Sequence, residues 1–142
     1  MKILVINGPN LNMLGIREPA VYGSRTYEEL CAYIEEEAAE IGASVDFIQS
    51  NHEGVLIDAI QEAYGEYDGL VINPGAYTHY SYAIYDALKS VGIPAVEVHL
   101  SDIRNRETFR ATSVTAPACV LQIAGRGFQG YAEGIRYLTE RN

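Results

Sequence analysis

The chain contains no tryptophan, two cysteines (Cys31 and Cys119) and two lysines (Lys2 and Lys89) among its 142 residues. So few thiols exclude a disulfide-stapled fold, and both cysteines read as buried, reduced side chains. No Cys/His spacing resembles a metal site. Lys2 falls at the wrong end of the first strand and Lys89 late in a helix, so a Schiff-base mechanism lacks its amine. No P-loop lysine is present. No apolar run approaches the ~20 residues of a membrane span. The apolar part of the opening MKILVINGPN is too short for a secretory signal. A cytoplasmic protein without a membrane partner is therefore expected. Ten basic residues face 19 acidic ones, a formal charge of −9, which argues against nucleic acid as a partner.

What is present reads as one globular domain, 48% hydrophobic. Apolar runs near 2–7, 44–48, 68–73, 94–99 and 118–123 read as strands. Helical patterns fall near 27–41, 54–66, 79–91 and 127–139, with a short helical turn near 104–109. Thr26 and Glu29 form a capping box, Leu30, Ile34, Ala38 and Ile41 follow at helical spacing, and Gly42 stops that helix. The third helix is expected to bury Ala83, Ile84, Ala87, Leu88 and Val91. Five strands alternating with helices imply an α/β fold: a flavodoxin-like three-layer sandwich on a parallel sheet of order 2-1-3-4-5. Ligands of such sheets bind beyond the carboxyl ends of strands 1 and 3.

The unusual polar residues collect at those ends. A strand and its following helix are usually joined by ~2–6 residues, and NGPNLNMLGIREPAVYG (7–23) far exceeds that. Gly and Pro hinges, Asn10, Asn12, Arg17 and Tyr22 mark it as a lid over about 8–25 of a single domain spanning 1–142. Half of the basic residues lie in two short segments: Arg17 and Arg25 in this loop, and Arg104, Arg106 and Arg110 after His99. They are either a small-anion pocket or surface partners of Glu18 and Glu107. His99 is either a structural imidazole or a general acid; a carboxylate such as Glu97, if it reached the ring, would favour the protonated form an acid requires. His79 is either a contact for a substrate hydroxyl or a helix cap. His52 lies off the switch point and reads as a loop or interface contact. Tyr22 is either packing or a base. A phenol in water ionises near pH ~10, and two units less require ~2.7 kcal/mol. One cation at ~4 Å offers ~4 kcal/mol at an effective dielectric of ~20, so Arg17 would suffice.

Two familiar flavodoxin-like classes fail on residues. A response regulator needs an aspartate where Asn73 stands, and a flavodoxin needs a Ser/Thr-rich loop after strand 1. The segments 7–23, QSNHEG (49–54), INPGAYTH (72–79), VEVHLSDIRNRETFR (96–110) and GFQGY (127–131) instead resemble the type II 3-dehydroquinate dehydratases. The resemblance implies conversion of 3-dehydroquinate to 3-dehydroshikimate and water, without metal or organic cofactor. It implies that Tyr22 takes a proton from C2 while Arg17 stabilises the phenolate. Asn10 holds a water against the enolate, and His99, supported by Glu97, protonates the departing C1 hydroxyl. It assigns substrate binding to Asn73, His79, Leu100, Ser101 and Arg110, steadying of the lid to Arg106, and a neighbouring subunit's site to Asp86. It also implies a homododecamer of four trimers. Tyr77, Tyr80, Tyr82 and Tyr85 fit a subunit interface or core packing equally. The chain departs from the family pattern at Met13, Tyr85, Ala111-Thr112-Ser113 and Arg126, all read as outside the acid/base set.

Overall fold

The structure, a computed structural model, describes residues 1–141. Five strands, β1 (Lys2–Asn7), β2 (Ser44–Gln49), β3 (Gly69–Asn73), β4 (Ala95–His99) and β5 (Leu121–Ala124), form one parallel sheet of order β2-β1-β3-β4-β5. The three central strands are near-continuous apolar runs because helices cover both of their faces. Edge strands β2 and β5 alternate in burial instead.

A one-turn helix, α1 (Pro19–Tyr22), lies within the long first loop. The main helices are α2 (Tyr27–Glu40), α3 (Glu53–Glu62), α4 (Tyr82–Val91) and α5 (Gln129–Glu140). On one face Leu30, Ile34 and Ala38 of α2 and Tyr131, Ile135 and Leu138 of α5 pack on Ile3, Val5, Val71, Val96 and Val98. On the other, Leu56, Ala59 and Ile60 of α3 and Ile84, Ala87 and Leu88 of α4 cover Leu4, Ile6, Leu70, Ile72 and Ala95. The Thr26–Glu29 capping box forms in both directions. At the other end of α2, Gly42 adopts φ +74°, and the N–H groups of Gly42 and Ala43 close back on the carbonyls of Ala39 and Ala38.

Several boundaries differ from the sequence reading. The third main helix starts at Tyr82, not near 79, because the Ser81 hydroxyl accepts from Ile84 N–H at 3.1 Å and caps it there. His79 instead closes a 3-10 turn, Gly75–His79. Ala83 faces solvent rather than the core. β5 begins at Leu121 because Pro117 holds a 3-10 turn over Ala116–Ala118. Cys31 and Cys119 are free and half-buried.

β1 and β3 lie in register through Asn7 opposite Asn73, and their outgoing loops touch. Gly8 N–H donates to the Asn73 carbonyl at 2.8 Å. A Cβ at Gly8 would stand 2.5 Å from the Pro74 carbonyl oxygen, so only glycine permits this approach. Gly75, at φ +63°, brings the second loop within 3.0 Å of the Pro9 carbonyl by the same measure.

Candidate active site

A cleft of about 540 Å³, its mouth included, opens at the carboxyl ends of β1, β3 and β4. Pro9, Asn10 and Leu11 form one wall, and Arg17 and Tyr22 reach in from further along the same loop. Asn73, Gly75, Ala76 and His79 come from the end of β3. His99, Leu100, Ser101, Ile103, Arg106 and Arg110 complete it from the end of β4. Three guanidinium groups line the space and no carboxylate does. In a chain of net charge −9, that is a pocket for a small anion.

The long first loop places one phenol between two cations. Pro19 opens α1 and Gly23, at φ 84°, ends it, which sets Tyr22 on the last residue of that single turn. Arg17 Nη2 donates to the Tyr22 hydroxyl oxygen at 2.9 Å, and its guanidinium stands 4.0 Å from the ring centre. Arg106 donates to the same oxygen through Nη1. Glu18 lies 3.8 Å from each arginine, so the first loop and the loop after β4 are tied together around the phenol. An oxygen that accepts from two cations is suited to carry negative charge.

The β4 end supplies the opposite chemistry. Glu97 and His99 share a face of the strand, and Glu97 Oε2 accepts from His99 Nε2 at 2.9 Å. That leaves Nδ1 as the ring nitrogen available to the cleft. Glu97 is fully buried behind the imidazole. Burial alone would raise its pKa, but hydrogen bonds from His99, Thr115 and Gln122, with the His99 charge, outweigh it and hold the carboxyl below its ordinary value.

His79 Nδ1 donates to the Thr112 carbonyl at 2.9 Å. Burial lowers its pKa; the Thr112 carbonyl opposes, and the His99 and Arg110 charges act with burial. A neutral His79 therefore has Nε2 left as an acceptor for a hydroxyl. Asn10 sits at φ 70°, held there by donation of its N–H to Asn51 Oδ1 at 3.0 Å. Asn73 is fixed twice: its Oδ1 accepts from Gly75 N–H at 3.1 Å, and its Nδ2 donates to Tyr131 Oη at 3.1 Å. Tyr131 donates onward to Asn7 Oδ1 at 2.6 Å.

Of the residues singled out in the sequence, Asn10, Arg17, Tyr22, Asn73, His79, His99, Leu100, Ser101, Arg106 and Arg110 meet in this one cleft, with Glu97 directly behind. Asp86 does not join them; it is exposed on α4. Arg25 stacks 3.8 Å above the Phe128 ring, and Arg104 pairs with Asp102; neither lines the cleft. Ser113, expected to lie outside the acid/base set, instead donates its hydroxyl to Glu97 at 2.8 Å. Arg126 pairs with Glu133. Sequence reasoning missed Thr115, Gln122, Tyr131 and Asn51. Gln122 had a usable signal: a polar residue on a strand, in register with Glu97. Among the described residues no group of three or more His, Cys, Asp or Glu side chains is placed to hold a metal.

Fold and cleft together define a flavodoxin-like α/β protein whose guanidinium-lined pocket holds a doubly hydrogen-bonded phenol and a carboxylate-backed imidazole. The chain belongs to the class II dehydroquinase family, whose model matches residues 1–139. A curated 3-dehydroquinate dehydratase from Clostridium acetobutylicum is 62% identical to it over 138 residues, 97% of this chain and 96% of the relative. The crystal structure of the type II dehydroquinase from Butyrivibrio crossotus superposes with a TM-score of 0.96 at 57% identity, covering 98% of this chain and 97% of that one. The type II dehydroquinase from Propionibacterium acnes gives 0.94 at 41% identity over 98% and 96%.

Proposed function

We infer that this chain is a 3-dehydroquinate dehydratase that eliminates water from 3-dehydroquinate to give 3-dehydroshikimate, in the shikimate or quinate pathway. The observation that carries this reading is the Tyr22 hydroxyl, which accepts from Arg17 and Arg106 in the same cleft as the Glu97-supported His99. Elimination needs both ends at once: a base for the proton at C2 and an acid for the hydroxyl leaving C1. Tyr22, as phenolate, takes the proton. Asn10 holds a water against the enolate oxygen. His99 gives a proton to the departing hydroxyl and water leaves. The amides of Leu100 and Ser101 meet the carboxylate, while Asn73, His79 and Arg110 bind hydroxyl groups. Residues 8–25 act as the lid, steadied by Arg106.

The exposed Tyr80 and Tyr82 support assembly into a dodecamer of four trimers, in which Asp86 reaches a neighbouring cleft. The two free thiols agree with a cytoplasmic location. Mixing the protein with 3-dehydroquinate and following the ultraviolet absorbance of the conjugated product tests the activity. A flat trace at micromolar enzyme would overturn it and leave a binding protein with a retained pocket.

A further inference from the structure

The segment between Arg110 and Cys119 contributes nothing to the acid and base themselves, yet it touches the His79 imidazole and the carboxylate behind His99. Val114 N–H fastens it to the Thr78 carbonyl at 2.8 Å. The Thr112 carbonyl takes the proton of His79 Nδ1. Ser113 and Thr115 send their hydroxyls to Glu97, Ser113 at 2.8 Å to Oε2 and Thr115 to Oε1. Gln122, opposite Glu97 on β5, gives Oε2 a further donor at 2.8 Å.

We propose that Ser113, Thr115 and Gln122 are positioning residues for the dehydration, holding Glu97 ionised and aimed so that it fixes His99 in the cleft. This rests on the functional reading above. A carboxylate is an acceptor at both oxygens, and here four donors converge on it: His99, Ser113 and Gln122 on Oε2, Thr115 on Oε1. The Ser113 hydroxyl accepts from Ala116 N–H at 2.9 Å, which leaves its proton for Glu97. Three of the four donors are neutral, so they orient the carboxylate without competing with the imidazole for its charge. The titratable groups acting on this cluster are few. His99 shares the strand, His79 lies across the strap, and the Cys119 thiol, pushed up to about 12 by burial and then by the Glu97 charge, stays neutral.

The pH consequence has a definite sign. Glu97 titrates lower in the folded protein than in the unfolded chain, so its charge favours the fold above the ordinary carboxylate range. That contribution is lost as pH falls through the folded value. Removing one donor moves the folded value up, and acid inactivation then starts at a higher pH.

The test compares wild type, Thr115→Val, Thr115→Ser and Gln122→Met. It reads kcat and KM for 3-dehydroquinate across pH, together with the carbon-13 titration of the Glu97 carboxyl. Thr115→Val should lower kcat roughly ten- to hundredfold, the effect of losing one hydrogen bond to a buried charge. KM should change by less than about twofold, since substrate is not touched. The acid limb of kcat should move to higher pH, and Thr115→Ser should restore both. Gln122→Met, at an exposed position of the edge strand, repeats the test if the valine variant fails to fold. Wild-type kcat and an unmoved Glu97 titration in Thr115→Val and Gln122→Met would overturn the proposal, as would a KM rising in step with the fall in kcat. Absence of turnover in wild type would instead sink the functional reading. The carboxyl titration, which needs no substrate, would still uphold or overturn the cage.

Discussion

At the scale of single residues the proposed base is the most demanding group, because a phenol gives up its proton reluctantly in water. Tyr22 meets that demand with two guanidinium donors rather than the one expected from Arg17 alone. Arg106, 84 residues further along the chain, makes the second contact. Replacing Tyr22 by Phe removes the proton acceptor and keeps the ring stacked on Arg17. It should cut kcat by roughly 10²–10⁴-fold, the usual range for general-base catalysis, with substrate binding by calorimetry nearly intact. Near-normal turnover would send the search for the base elsewhere. Arg17→Ala should lower kcat by about 10²-fold, the cost of losing one donor to a developing charge. The basic limb of its pH–rate profile should move as well. Arg106 supports the same oxygen, so the double variant should fall short of the product of the two single losses.

Elements matter here for where they stop. β1 and β3 end side by side, and both outgoing loops pass within van der Waals reach because Gly8 and Gly75 carry no Cβ. Gly8→Ala would push a methyl group onto the Pro74 carbonyl, a rigid backbone atom. The expected result is a lower melting temperature together with a higher KM, because Asn73 and Asn10 flank the junction. Unchanged melting and unchanged KM would mean that the two loops separate freely. This packing was half legible beforehand. The switch point followed from the alternation of strands and helices, and Asn7, Gly8, Asn73 and Gly75 stood at it. The Tyr131 bridge between Asn7 and Asn73 was not, because α5 meets β1 only in three dimensions, 124 residues away.

For the molecule as a whole, the monomer leaves Tyr80 at 59% and Tyr82 at 68% exposure, beside an Asp86 that serves nothing in its own cleft. In the proposed assembly these two rings would be covered by neighbouring subunits. Sedimentation should give a mass near that of a dodecamer of 15.6 kDa chains. Tyr82→Asp should lower that mass, and turnover with it, if Asp86 completes a neighbouring site. A monomer at working concentration with full activity would refute both the assembly and the role of Asp86.

Sequence alone determined the strand and helix order, the long first loop, and the residue types that gather in the guanidinium-lined cleft. These are encoded locally: periodicity, caps and turn residues act over a few positions, and the family's motifs are contiguous runs. Tertiary structure alone decided how those groups are held. Ser113 and Thr115 reach Glu97 from a strap 16 and 18 residues away, and Arg106 reaches Tyr22 from another strand's loop. Backbone pairing sets such contacts, and no local pattern records which hydroxyl will face which carboxylate.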